Sequence, residues 1–116
     1  MPLIKITTNV DLPSQELIDL QKGLAADAAE LVGKRIDYVM TACDFVPSMT
    51  FGGTEGPTAY VEFKNIGTLD AELTQKFSDV FCSALKRSLA VDPERVYIEF
   101  QEEPRHHWGW NHKNFA

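Results

Sequence analysis

The stretch Met1-Pro2-Leu3-Ile4-Lys5-Ile6-Thr7-Thr8 is the segment around which the rest of the chain is organised. It is rich in β-branched residues and predicts a strand over residues 3–10. A shift of 57 positions places Ile4 on Val61, at the start of a second stretch in which apolar and polar residues alternate. The opening stretch is therefore expected to be one copy of a pattern that occurs twice.

Each copy continues with a helix and a second strand. In the first, apolar residues recur at steps of three and four after Ser14, the expected helix cap, and stop at Gly33. A strand over 38–45 follows, and then a loop over 47–57 that is rich in glycine and proline. The second copy predicts a strand over 58–64, a helix from about residue 70 and a strand over 95–101.

The shift aligns more than the first strand. It superposes seven pairs of apolar residues in one register: Ile4 on Val61, Ile6 on Phe63, Leu20 on Phe77, Leu24 on Phe81, Ala28 on Leu85, Val32 on Leu89 and Val39 on Val96. Right-handed crossovers put both helices on the same face of a shared sheet. We therefore predict a single α+β domain over 1–116, in which a duplicated βαβ unit forms a four-stranded sheet with two helices on one face.

The other face of this sheet is left uncovered. Strand parity assigns it a set of residues that is half apolar, namely Leu3, Lys5, Thr7, Tyr38, Met40, Ala42, Tyr60, Glu62, Lys64, Tyr97 and Glu99. Such a face is typical of an interface inside a closed homo-oligomer. A solvated face of an antiparallel sheet is the alternative, because such faces tolerate scattered aromatic residues.

Composition excludes several classes of protein. The 116 residues are 44% hydrophobic and carry a formal charge of -6, which leaves no basic face for nucleic acid, and no stretch is long and apolar enough to span a membrane. We expect no signal peptide and interpret Cys43 and Cys82 as reduced thiols of a cytoplasmic protein. His106, His107 and His112 are not expected to bind metal, because adjacent side chains on a strand face opposite ways.

Pro2 has two interpretations. Proline is common at the first residue of a strand, which is the ordinary explanation. If Met1 is removed, however, Pro2 presents a secondary amine, which is a stronger nucleophile and base than a peptide nitrogen. The dipeptide alone does not choose between these roles.

Short motifs along almost the whole chain resemble the macrophage migration inhibitory factor family of the tautomerase superfamily. They are Met1-Pro2 before a strand, Thr8-Asn9-Val10, Gly33-Lys34, Met49-Thr50-Phe51-Gly52-Gly53, Ile66-Gly67, Pro93-Glu94-Arg95-Val96-Tyr97-Ile98, Trp108-Gly109-Trp110-Asn111 and Asn114-Phe115-Ala116. The resemblance implies a homotrimer with an active site at each subunit boundary. It also implies keto-enol tautomerase activity on aromatic 2-oxo acids such as phenylpyruvate, with L-dopachrome as a further substrate and no cofactor.

The resemblance also assigns roles to individual residues. Pro2 matches the catalytic base, and Lys34 matches a cation that binds the substrate and stabilises the enol oxygen. The remaining pocket residues by resemblance are Ile66, Tyr97 from the adjacent subunit, Tyr38, Trp110 and Phe115.

This chain departs from the family pattern at several points, among them Arg35 in place of a frequent proline and Trp108 in place of a smaller aliphatic residue. Glu99 stands where an asparagine is expected beside the substrate, which would bring a carboxylate to the pocket. The Cys-x-x-Cys of the family is replaced by Thr58-Ala59-Tyr60-Val61, so we expect no thiol oxidoreductase activity. Two alternatives to an enzyme stay open: a cytokine-like protein, secreted without a signal peptide, that engages a protein receptor, and an inert fold that has lost its activity.

Overall fold

Two strand–helix–strand units follow one another along the chain. The computed structural model describes residues 2–116. In chain order its elements are β1 (Leu3–Thr8), α1 (Ser14–Val32), β2 (Met40–Phe45), β3 (Ala59–Ile66), α2 (Ala71–Leu89), β4 (Val96–Glu103), β5 (Gly109–Trp110) and β6 (Lys113–Asn114). Short 3-10 helices lie at Ile36–Tyr38, Pro93–Arg95 and Arg105–His107.

The predicted duplication is confirmed by the element boundaries. Moving the ends of α1 by 57 positions gives the ends of α2, and the same shift carries the 3-10 helix Ile36–Tyr38 onto Pro93–Arg95. Each helix ends at a residue with left-handed backbone geometry, Gly33 in the first unit and Ala90 in the second. The two units therefore share one backbone plan.

The four long strands form one sheet in the order β2-β1-β3-β4. The strands within each unit are parallel, and the units join through the antiparallel pair β1 and β3, where Leu3 lies opposite Lys64. This is the α+β architecture that the sequence predicts, with a mixed sheet and both helices on one side.

The core lies between the sheet and the two helices. Inward apolar residues of β1 and β3 are at most 1% exposed, and helix side chains at steps of three and four pack against them. The largest contributors are Ile4, Ile6, Leu20, Leu24, Val61, Phe63, Phe77, Phe81 and Leu85. Phe63 packs against Phe77 with ring centroids 4.4 Å apart. Among residues 2–116, no helix has the length and apolar character needed to cross a membrane.

The open face is also confirmed. Met40 and Tyr97, at opposite edges of the sheet, are 66% and 68% exposed in the single chain. Beside them, Lys5 and Asp44 form a solvent-exposed ion pair at 3.5 Å. A large apolar and aromatic area therefore has no cover within one subunit.

Several boundary predictions are wrong. Strand β1 ends at Thr8 and not at residue 10, and Arg95 lies in a 3-10 helix before β4. Tyr38 lies in a 3-10 helix and not in β2, because the amides of Tyr38 and Val39 donate to the carbonyls of Arg35 and Ile36. Ser14 is the first helical residue and makes no capping hydrogen bond with its side chain; Pro13 occupies the cap position.

Strands β5 and β6 form a hairpin that we did not predict. Asn111 and His112 form its turn, with φ of 50° and 68°. Asparagine is enriched at such positions, but strands of two residues carry no periodicity that a sequence reading detects.

Candidate functional site

Pro2 lies at the start of β1 and is less than 2% exposed. Its carbonyl accepts a hydrogen bond from the amide of Met40 at 3.0 Å, which continues the parallel pairing of β1 with β2 by one residue. A cleft of about 340 Å³ opens beside it. The main residues around this cleft are Pro2, Tyr38, Met40, Trp108, Trp110 and Phe115.

The C-terminal hairpin supplies the aromatic side of this cleft, hereafter the proline cleft. Trp110 meets Tyr38 edge-on, with centroids 5.9 Å apart and planes at 80°, and stacks on Phe115 at 6.1 Å and 19°. The amide of Phe115 donates to the carbonyl of Trp108 at 3.2 Å, which holds the chain end against the hairpin. Three of the predicted pocket residues, Tyr38, Trp110 and Phe115, thus surround Pro2.

Lys34 reaches back to the sheet from the end of α1. Gly33, with φ of 67°, turns the chain, and the Lys34 amide donates to the carbonyl of Ala29 at 3.0 Å. The Lys34 ammonium donates to Asn65 Oδ1 at 2.9 Å and to the carbonyl oxygen of Ile66. Burial lowers the pKa of Lys34, and the positive charge of Arg105 lowers it further.

A second cleft, of about 370 Å³, contains this cation and is hereafter the lysine cleft. It is lined by Lys34, Ile66, Gly67, Glu103, Pro104 and Arg105. Glu103 is half-buried and Arg105 is exposed. With two cations, one carboxylate and the apolar side chains of Ile66 and Pro104, this cleft suits an anionic group attached to an apolar body.

The two clefts are linked through the sheet and through the chain end. The antiparallel register that sets Leu3 opposite Lys64 places Pro2 opposite Asn65 when it is extended by one residue. At the other side, Arg105 Nε donates to the carbonyl of Phe115 at 3.0 Å. Lys34 therefore contacts Asn65, the residue that this register places opposite Pro2.

Tyr97 lies apart from both clefts of its own chain. It is on the open face of β4, where its ring packs against Phe51 with centroids 4.7 Å apart. Arg95 fixes the loop that carries Phe51, because its guanidinium donates to the carbonyls of Pro57 and Thr54 at 2.9 and 3.1 Å. That Tyr97 acts on an adjacent subunit stays a prediction.

Glu99 is two residues further along the same open face and is exposed. Its carboxylate accepts a hydrogen bond from the Tyr60 hydroxyl at 3.1 Å. Burial, this hydrogen bond and the nearby negative charges of Glu99 and Glu62 raise the pKa of Tyr60. Glu99 thus has a neutral partner on its own sheet.

Asn65, which accepts a hydrogen bond from Lys34, and the cleft residues Glu103 and Arg105 were missed by sequence reasoning. Asn65 is 3% exposed and shares the inward parity of Val61 and Phe63. If the predicted strand had ended at residue 66 and not at 64, Asn65 would have been recognised as a polar residue on the buried face. Arg105 gave no signal, because it follows the last predicted strand and belongs to no periodic segment.

The cysteines and histidines do not add a second centre. Cys43 and Cys82 are free, and burial raises the pKa of both thiols, with Asp44 and Asp79 adding to the effect. Raised pKa values disfavour the reactive thiolate. Within the described range, 2–116, no group of three His, Cys, Asp or Glu side chains is arranged to hold a metal ion.

Comparison with known proteins gives a consistent relationship. A model of the macrophage migration inhibitory factor family matches residues 1–116. The macrophage migration inhibitory factors of Rattus norvegicus and Xenopus laevis are 32% and 31% identical to this chain, with full coverage of both partners.

Solved structures agree. The macrophage migration inhibitory factor homologue from Prochlorococcus marinus is 40% identical, covers 98% of this chain and 99% of its own, and superposes with a TM-score of 0.92. The macrophage migration inhibitory factor of Toxoplasma gondii is 25% identical with a TM-score of 0.94, over 97% of this chain and 99% of its own. Since family model, sequence and fold all match over nearly the full length, this chain belongs to the macrophage migration inhibitory factor family.

Proposed function

We propose that this protein is a keto-enol tautomerase of aromatic 2-oxo acids such as phenylpyruvate, with the Pro2 nitrogen as the general base. The observation that carries the proposal is a buried Pro2 at the head of β1, beside an aromatic cleft and one strand away from the Lys34 ammonium. The base requires removal of Met1, which lies outside the described residues, so this processing is part of the proposal.

The chemistry follows from these groups. A free α-amino group titrates near roughly 8 in unfolded chains, and burial or a nearby cation favours its neutral form. The neutral Pro2 nitrogen accepts a proton from carbon 3 of the substrate while the electron pair moves to the 2-oxo oxygen. Lys34 stabilises the resulting negative oxygen, and return of the proton to that oxygen completes the enol.

The proline cleft accounts for the aromatic substrate. Its volume of about 340 Å³ suits a single aromatic ring with a short side chain. The rings of Tyr38, Trp110 and Phe115 offer it both edges and faces. Ring contacts of this kind add to the free energy gained by apolar burial.

The site is proposed to work in a homotrimer. The open sheet face supports this, because it exposes Met40 and Tyr97 and because Tyr97 lines neither cleft of its own chain. We expect sedimentation to give a species of about three times 13.0 kDa. A stable monomer at micromolar concentration, or full activity after dilution to monomers, would contradict the shared site.

The direct test is Pro2→Gly in protein whose N-terminus has been verified by mass spectrometry. Loss of a positioned base should lower phenylpyruvate turnover at least about tenfold while the circular dichroism spectrum is unchanged. An alanine inserted before Pro2 is the matched control, since it keeps the proline but converts its nitrogen to an amide, and it should be equally inactive. Unchanged turnover in either protein would assign the base to another group.

A further inference from the structure

We propose that Arg105 forms a bidentate pair with the carboxylate of the substrate, while Lys34 contributes its charge to the same anion site and its remaining N–H to the 2-oxo oxygen. The substrate class in this assignment rests on the proposed function. The two cations line the same cleft, but their protein contacts leave them with different capacities for a ligand.

Lys34 has little hydrogen-bonding capacity left. Its ammonium carries three N–H groups, and two of them are directed to Asn65 Oδ1 and the Ile66 carbonyl. One remains for a ligand. A 2-oxo acid presents two carboxylate oxygens and an oxo oxygen, so a single N–H cannot serve both groups.

Arg105 has the complementary capacity. Its Nε donates to the Phe115 carbonyl at 3.0 Å, which fixes the base of the guanidinium. Within the described residues, its two terminal amino groups have no hydrogen-bond acceptor and no carboxylate within 4.0 Å. The free end of a guanidinium matches the two oxygens of a carboxylate in a bidentate pair.

The position of Arg105 connects this anion site to the aromatic cleft. Phe115, which its Nε holds, stacks on Trp110 beside Pro2. Lys34 is close enough for the charge of Arg105 to act on it. A substrate anchored at Arg105 therefore has the base, the ammonium and the aromatic wall within the same connected region.

Glu103 is the one carboxylate that lines the same cleft. It makes no ion pair with Arg105 in the described part of the chain. With Lys34 and Arg105 it leaves a formal excess of one positive charge, which an anionic substrate can neutralise. Glu103→Gln should therefore strengthen the binding of anions.

Binding of phenylglyoxylate and of its methyl ester tests the assignment. This aromatic 2-oxo acid has no hydrogen on the carbon next to its oxo group, so binding is measured without turnover, by calorimetry or by quenching of Trp108 and Trp110. Arg105→Gln should weaken binding of the acid about tenfold, as expected for a lost charge-assisted pair, and leave the ester unchanged. Lys34→Gln should weaken both ligands, the acid more than the ester because the cleft also loses a positive charge.

Two controls separate this role from others. Arg87→Gln removes the same charge from α2, where Arg87 lies in the groove between the two helices, and should leave both ligands unaffected. Arg105→Lys keeps the charge without the bidentate fork and should lose an intermediate amount of acid binding. Equal loss of acid and ester in Arg105→Gln would assign Arg105 only to holding Phe115 and would overturn the proposal, as would no loss at all.

The kinetic readout distinguishes this proposal from the proposed function. With phenylpyruvate, Arg105→Gln should raise KM about tenfold while kcat stays within about twofold of the wild type. If the wild-type protein has no tautomerase activity, the proposed function fails, but a selective loss of acid binding in Arg105→Gln still supports the anion site. If the protein is active and acid binding is unchanged in Arg105→Gln, the anion site fails and the tautomerase proposal stands.

Discussion

The two βαβ units share a backbone plan and differ in what they place at the same positions. The residue after the left-handed helix cap is Lys34 in the first unit and Val91 in the second. Lys34 is half-buried and reaches toward a cleft, whereas Val91 is fully buried in the core. One position thus provides a candidate site in one unit and packing in the other.

The end of the neighbouring strand shows the same contrast. Asn65 and Thr8 occupy equivalent, buried positions. Asn65 accepts a hydrogen bond from Lys34, whereas the Thr8 hydroxyl donates to the Thr58 carbonyl at 2.8 Å. The Thr8 hydroxyl therefore bonds only to the backbone, whereas Asn65 Oδ1 holds the Lys34 ammonium beside a cleft. The shared backbone plan therefore places a cation beside a cleft in only one of the two units.

Exchanging Lys34 and Val91, the residues that follow the two helix caps, should have the largest effect on stability. Val91→Lys places an ammonium in a site with no exposure, so we expect a loss of about 3 to 5 kcal/mol in the free energy of unfolding. The reverse exchange, Lys34→Val, should cost only about 1 kcal/mol, because water in the cleft can reach Asn65 Oδ1. Urea denaturation of both variants measures the difference. Similar losses would show that the two positions are equally buried in solution.

The helix caps provide a smaller test. Gly33 and Ala90 have φ of 67° and 55°, but only Ala90 carries a Cβ, which makes this conformation unfavourable. We expect Gly33→Ala to cost about 1 kcal/mol and Ala90→Gly to stabilise the protein by about 0.5 kcal/mol, after the entropy cost of glycine is subtracted. A Cβ at Gly33 meets nothing within 4 Å, so strain alone is measured. Thermal unfolding with opposite signs for the two variants would support this explanation, and equal signs would contradict it.

The smallest effect concerns an ion pair that the second unit has and the first lacks. Lys86 Nζ lies 2.5 Å from Asp92 Oδ1, whereas the equivalent positions are Ala29 and Arg35. The hydrogen bond and charge of Lys86 lower the pKa of Asp92 from its ordinary 3.8. A lowered pKa stabilises the fold above 3.8, and this contribution is lost as the pH falls below that value.

Lys86→Met should therefore flatten the loss of stability between about pH 4 and pH 2. Denaturation midpoints across this range measure the slope. Arg87→Met, which removes a positive charge from the same last turn of α2 without touching the pair with Asp92, is the matched control and should leave the slope unchanged. An unchanged slope in Lys86→Met would assign the acid sensitivity to other carboxyl groups.

Periodic segments were predictable because one face of each is buried. The alternation of Ile4 and Ile6 and the spacing of Phe77 and Phe81 both report burial, and these four residues are at most 1% exposed. Boundaries were less predictable where local hydrogen bonds decide them. Tyr38 looks like the start of a strand, but the turn bonds of the 3-10 helix place it before β2.

The site residues likewise fall into those that the sequence could identify and those that it could not. Pro2, Lys34 and the aromatic residues could be named from their motifs, because the resemblance covers nearly the whole chain. Arg105 and Asn65 could not, because their relevance depends on which atoms lie near Lys34 and Phe115. Contacts between residues more than thirty positions apart, such as Lys34 with Asn65, leave no periodic trace.

By itself, the sequence determined the duplicated unit, the inward faces of the strands and helices, and the open face of the sheet. These follow from the period of apolar residues, which each element must bury on one side. Only the tertiary structure decided that Lys34 is held by Asn65 and Ile66, that Arg105 holds Phe115, and that the C-terminal hairpin forms a wall beside Pro2. The physical reason is that strand pairing and chain reversal bring together side chains whose positions no local preference specifies.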